Sequence, residues 1–145
     1  MIFTQKEKSC GAVLFTEQDG VRKYVLVGRG PLQSGRDCNC GFPKGHAEKN
    51  ETERETALRE IKEETCIDAR IIEGFKKEIN YVMPNGVAKE AVYFLASYKN
   101  QEPKKSPCEE LEVLLLPFAE AIDALTFESA KEILRGAENF LNTQT

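Results

Sequence analysis

Gly41-Phe42-Pro43-Lys44-Gly45-His46 runs without a break into a Glu-rich stretch that ends Arg59-Glu60-Ile61-Lys62-Glu63-Glu64-Thr65-Cys66-Ile67, and the fold is decided here. The glycines and proline of the first part mark a loop. The second part has a helical period: Ala57, Leu58, Ile61 and Thr65 recur at steps of three and four and form a core-facing stripe. Asn50 is the expected cap, with Glu53 at the third helical position as in a capping box.

Glu60, Glu63 and Glu64 are three and four residues apart. They project from one side of the helix over an arc of roughly 100°, beside the apolar stripe rather than opposite it. Three carboxylates this close repel, and a divalent cation relieves the repulsion. Oxygen donors without a supporting His or Cys select Mg²⁺ or Mn²⁺ over zinc. Arg59 reaches Glu63 at i+4 and can hold it in place. A Glu-rich helix alone is usually a solvated, ion-paired face; the loop that feeds this one changes the reading.

On either side of this stretch the chain alternates strands and turns. Residues 9–15 and 23–28 read as a hairpin closed at Glu17-Gln18-Asp19-Gly20, and residues 28–45 as one long loop. Strands are expected at 69–72, 75–82 and 88–98, with Pro84-Asn85-Gly86 as a turn, and at 112–116. One helix should start near Pro117 and another cover 127–141. Strands, a helix, more strands and then helices make a mixed sheet flanked by helices, of the α/β or α+β class. Residues 1–145 are expected to form one domain.

Composition narrows the classes. The 145 residues carry 24 acids and 20 bases, a net charge of −4, which speaks against non-specific nucleic-acid binding. Residues 48–64 hold seven glutamates against four bases, so most of that charge sits on the one helix. The run Val113-Leu114-Leu115-Leu116 is far too short to span a bilayer, and no apolar leader follows Met1. Five cysteines without paired spacing fit a reducing, cytoplasmic setting, and Cys38-Asn39-Cys40 lacks partners at zinc spacing.

From Gly45, the pattern of Glu51 six residues on and then Arg59-Glu60-Ile61-Lys62-Glu63-Glu64 resembles the Nudix box, the loop–helix–loop signature of hydrolases acting on a nucleoside diphosphate linked to another group. Cys66 stands where that family usually has glycine, at a cost of about 1 kcal/mol for a left-handed helix end. The resemblance implies an α/β/α sandwich around a central mixed sheet. It implies Mg²⁺, with Mn²⁺ as a substitute, on Glu60, Glu63, Glu64 and the carbonyl of Lys44 or Gly45, with Arg59 and Glu51 orienting them.

Outside the box, Gly41 to His46 and the stretch from Ile71 to Val82 resemble the asymmetrical diadenosine tetraphosphate hydrolases. That likeness implies hydrolysis to ATP and AMP, with Lys44 on phosphate, Tyr81 stacked on adenine, and Glu109 at the metal site or activating water. Lys76 or Lys77 would hold further phosphates. His46, the single histidine, is read either beside the phosphate loop or as a structural residue. Cys40 and Leu115 occupy positions where tryptophan is common in that group, and Val113 one where tyrosine is frequent. Competing readings are a Nudix enzyme acting on nucleoside triphosphates or RNA 5′ ends, and a non-catalytic nucleotide-binding module. The expected partner in each enzymatic case is a nucleotide; the oligomeric state is not legible.

Overall fold

Asp19 and Gly20 both take positive φ, 53° and 80°, the signature of a tight hairpin turn. They join β1 (Lys6–Gln18) to β2 (Val21–Arg29), as the turn signal predicts. A computed structural model provides these coordinates and describes residues 6–29, 39–105 and 111–144.

The hairpin does not stay zipped. β1 and β2 pair from Leu14↔Val25 to Gln18↔Val21, then separate. Into the opening come two three-residue strands, β3 (Asn39–Gly41) on β2 and β4 (Lys44–His46) on β1. The reading of 28–45 as a single loop is corrected here: strands this short show no periodicity and exist only because the parted edges offer hydrogen-bond partners. Gly11 permits the close approach, since a Cβ there would lie 2.1 Å from the Pro43 carbonyl oxygen.

β5 (Arg70–Val82) is one strand where two were expected. Gly74, at φ 101°, absorbs a register shift between Ile72 and Lys76, so the break is a bulge within a continuous ladder. β6 (Ala88–Ser97) pairs antiparallel with β5 and parallel with β1, while β7 (Glu112–Pro117) closes the far edge on β2. The sheet is therefore mixed, as expected.

β6 is buried on both faces, which is why 91–96 reads as an unbroken apolar run. Its Val92, Phe94 and Ala96 join Ala12 and Leu14 beneath Ala57 and Ile61 of α1 (Glu53–Thr65). Ala91, Tyr93 and Leu95 face the opposite layer, α2 (Phe118–Ala124) and α3 (Glu128–Thr143), through Ala121, Ile133, Leu134 and Ala137. Helices on both faces give the α/β/α sandwich. α3 is also tied down by polar contacts: the buried Tyr24 hydroxyl donates to Glu138 at 2.5 Å, and Arg22 donates to the same carboxylate at 2.9 Å.

Candidate active site

The capping residue of α1 differs from the expectation. Asn50 sits at φ 70°, in the left-handed region, whereas an N-cap needs extended backbone. Thr52 supplies that geometry, and its side chain accepts from Glu55 N–H while Glu55 accepts from Thr52 N–H. The box is Thr52/Glu55, two residues later than Asn50/Glu53. At the other end Cys66 takes the left-handed conformation, φ 63°, and donates to the Lys62 carbonyl, so the helix stops where a glycine would have stopped it.

Arg59 is the hub of the helix's exposed side. Its Nε donates to Glu51 at 2.7 Å, and its Nη1 reaches Glu60 at 2.8 Å and Glu63 at 3.1 Å. Nη2 donates to the His46 backbone carbonyl at 3.0 Å, fastening α1 to β4. These bonds hold the guanidinium charged and pull the Glu51 carboxyl, bonded chiefly by Arg59, down to about 2. A depressed acid contributes stability above its ordinary value of 4.5 and loses it as pH falls toward 2. Without added divalent cation, the melting temperature should therefore drop between about pH 5 and pH 2, and Glu51→Gln should flatten that slope. An equally steep slope in the variant would assign the acid sensitivity elsewhere.

Glu60 lies directly against Gly45: a Cβ on that glycine would come within 2.1 Å of the Glu60 carboxyl carbon. Gly45 does not have positive φ, so what it supplies is space. Glu64 accepts the Lys44 backbone N–H at 3.0 Å. Two of the three predicted carboxylates are thus set against β4, and Arg59 ties Glu63 to Glu60. The donor set is all oxygen, with the Gly45 backbone alongside, which suits a hard divalent cation.

Among the described residues, the tightest carboxylate trio is a different one. Glu53, Glu78 and Glu90 have oxygens within 4.8 Å of one another. Lys8 pairs with Glu53 there, and Lys76 pairs with Glu53 at 2.9 Å and Glu78 at 3.6 Å. These two lysines offset most of the trio's charge.

Glu64 also borders a cavity of about 620 Å³ on the α3 side of the sheet. Lys44 and Glu64 make one polar wall; Phe42, Tyr93, Tyr81 and Phe127 give aromatic surface. Among the described residues Lys44 forms no ion pair, and its Nζ lies 5.9 Å from the centre of the Tyr93 ring. Burial keeps the Tyr93 hydroxyl protonated well above the ordinary tyrosine range. Tyr81 is 40% exposed at the rim, and Phe127 59% exposed.

The structure brings Lys44, Glu64 and Tyr81 to one cleft. Lys76 is not among the cleft residues; it lies at the start of α1, held by Glu53 and Glu78. His46 is exposed, and its backbone carbonyl serves Arg59. Glu109 lies outside the described residues, as do Cys38 and Cys108. Cys40 lines the cleft, whereas Val113 and Leu115 pack on the α1 side of the sheet. Sequence reading missed Phe127 and Tyr93. A phenylalanine opening a helix next to an apolar stripe looks like core, and only its exposure reveals otherwise. Among the described residues no helix is long and apolar enough to cross a membrane.

Comparison with known proteins places these features in a group. The profile of the NUDIX domain matches residues 6–136. The bis(5'-nucleosyl)-tetraphosphatase (asymmetrical) of Sus scrofa is 39% identical over 103 residues, covering 68% of this chain and 69% of that protein. The Mus musculus protein of the same name is 38% identical over the same coverage. The binary complex of a C. elegans Ap4A hydrolase superposes with a TM-score of 0.81 at 25% identity, covering 94% of this chain and 98% of that one.

Proposed function

The chain belongs to the Nudix family, and on that premise we propose that it hydrolyses dinucleoside polyphosphates, diadenosine tetraphosphate to ATP and AMP, with Mg²⁺ or Mn²⁺ as cofactor. The observation that carries this is the cleft, where Lys44 and Glu64 stand beside exposed Tyr81 and Phe127. Such a cleft suits a ligand with a polyphosphate at one end and a flat base at the other.

Members of the family generally use divalent metals. The proposed ligands here are Glu60, Glu63, Glu64 and the Gly45 carbonyl, and the bound ion would neutralise phosphate charge and make water a better nucleophile. Arg59 holds Glu60 and Glu63 aimed together. The water oxygen bonds to one phosphorus and the bridging P–O bond breaks, its electron pair leaving with the departing nucleotide. The water's proton passes to a carboxylate of this face or to Glu109. Lys44 holds phosphate by charge, and Tyr81 with Phe127 flanks the adenine. His46 and Lys76 would contribute only to parts of the chain of phosphates that leave the cleft.

Initial rates on diadenosine tetraphosphate, nucleoside triphosphates and 5′-triphosphorylated RNA test the reading. The dinucleotide should be hydrolysed fastest, and chelation of divalent cations should abolish turnover. If it ranks among the poorest substrates, the narrow assignment falls; if chelation changes nothing, so does the metal face.

A further inference from the structure

Residues 125–127 connect α2 to α3, with Leu125 and Phe127 in extended conformation, and each does something different. Leu125 is buried in the core, and Phe127 stands exposed at the cleft. Thr126 between them makes a reciprocal pair of bonds with a single residue of β3. Its N–H donates to the Cys40 carbonyl at 3.1 Å, and its Oγ1 accepts the Cys40 N–H at 2.8 Å. β3 is only three residues long and holds β2 by its other edge, through Gly28↔Cys40. Phe127 is the N-cap of α3 but makes no side-chain capping bond, so the helix does not fix its own start. Among the described residues, the pair of bonds to β3 anchors this point.

We propose that Thr126 is a positioning residue, a clip between β3 and the first turn of α3 that holds Phe127 at the lip of the cleft and keeps Cys40 covered. The role in binding rests on the reading of that cleft as a base-binding one; the clip itself does not. Cys40 is 3% exposed and lines the same cavity. With a small side chain there, the width of the cleft at this end depends on where Phe127 stands. An exposed threonine can lose its hydroxyl without leaving a cavity, and a serine at the same position controls for the hydroxyl itself.

Thr126→Val removes the acceptor and keeps the shape; Thr126→Ser keeps the acceptor. Thr126→Val should raise KM for diadenosine tetraphosphate about fivefold with kcat within about twofold, and Thr126→Ser should restore KM. In a Phe127→Ala background Thr126→Val should add nothing further, because the clip acts through Phe127. An undiminished penalty in that background, or equal KM in all Thr126 variants, overturns the positioning role. Alkylation of Cys40 with iodoacetamide, followed by peptide mass spectrometry, needs no turnover. Thr126→Val should speed it at least threefold and Thr126→Ser should not; an unchanged rate overturns the clip. Wild-type protein that hydrolyses no dinucleotide would overturn the substrate reading and the clip's part in KM, and the alkylation result would then decide the clip alone.

Discussion

Replacing Glu64 with glutamine is expected to slow hydrolysis about 1,000-fold, or about 4 kcal/mol of transition-state stabilisation, at nearly unchanged melting temperature. Of the three carboxylates on the face, Glu64 is the one that also borders the cleft, so it is the ligand that would hold the ion toward phosphate bound there. Within the described residues its carboxylate accepts the Lys44 N–H at 3.0 Å, which a glutamine carbonyl also accepts. Fold and charge are thereby separated: the variant keeps the shape and loses the anion. Turnover and melting temperature measured together check this. Hydrolysis at the wild-type rate would remove Glu64 from the machinery, and a large drop in stability would recast it as a structural residue.

Gly45→Ala is expected to cost at least about 100-fold in activity for a different reason. The added methyl would sit 2.1 Å from the Glu60 carboxyl carbon and 2.3 Å and 2.4 Å from its oxygens, so the carboxylate has to move. Glu60 is not free to swing aside, because Arg59 holds it at 2.8 Å and Arg59 itself is fixed by Glu51 and the His46 carbonyl. The strain should appear as about 1–3 kcal/mol of lost stability on top of the lost rate. Weakened binding of Mn²⁺, followed by its paramagnetic effect on water relaxation, would tie the loss to displaced ligands. Wild-type activity in this variant would mean that Glu60 has room and no ligand role.

The two effects show why the central helix was legible and its surroundings less so. Glu60, Glu63, Glu64 and Arg59 announce themselves by helical spacing, which depends on nothing outside the helix, and the two faces of the sheet follow from the apolar run at 91–96. Asn50 was a chemically sound cap, yet its backbone is left-handed and Thr52 took the role. Propensity names residues able to cap and leaves the entry angle of the chain open.

β3 and β4 carry no pattern of their own, because β1 and β2 part to receive them and that parting is a tertiary event. Lys76 alternates along β5 onto the α1 side of the sheet, away from Tyr81. The odd-numbered spacing between positions 76 and 81 was readable, but which face opens on the cleft was not. Phe127 needed the fold before its exposure could mean anything.

The central claim is that water adds asymmetrically across a polyphosphate held between one base-binding cleft and one acidic helix face. Product analysis of diadenosine tetraphosphate hydrolysis by anion-exchange chromatography tests it most directly. ATP and AMP in equal amounts from the first turnovers are the predicted result; two equivalents of ADP would contradict it.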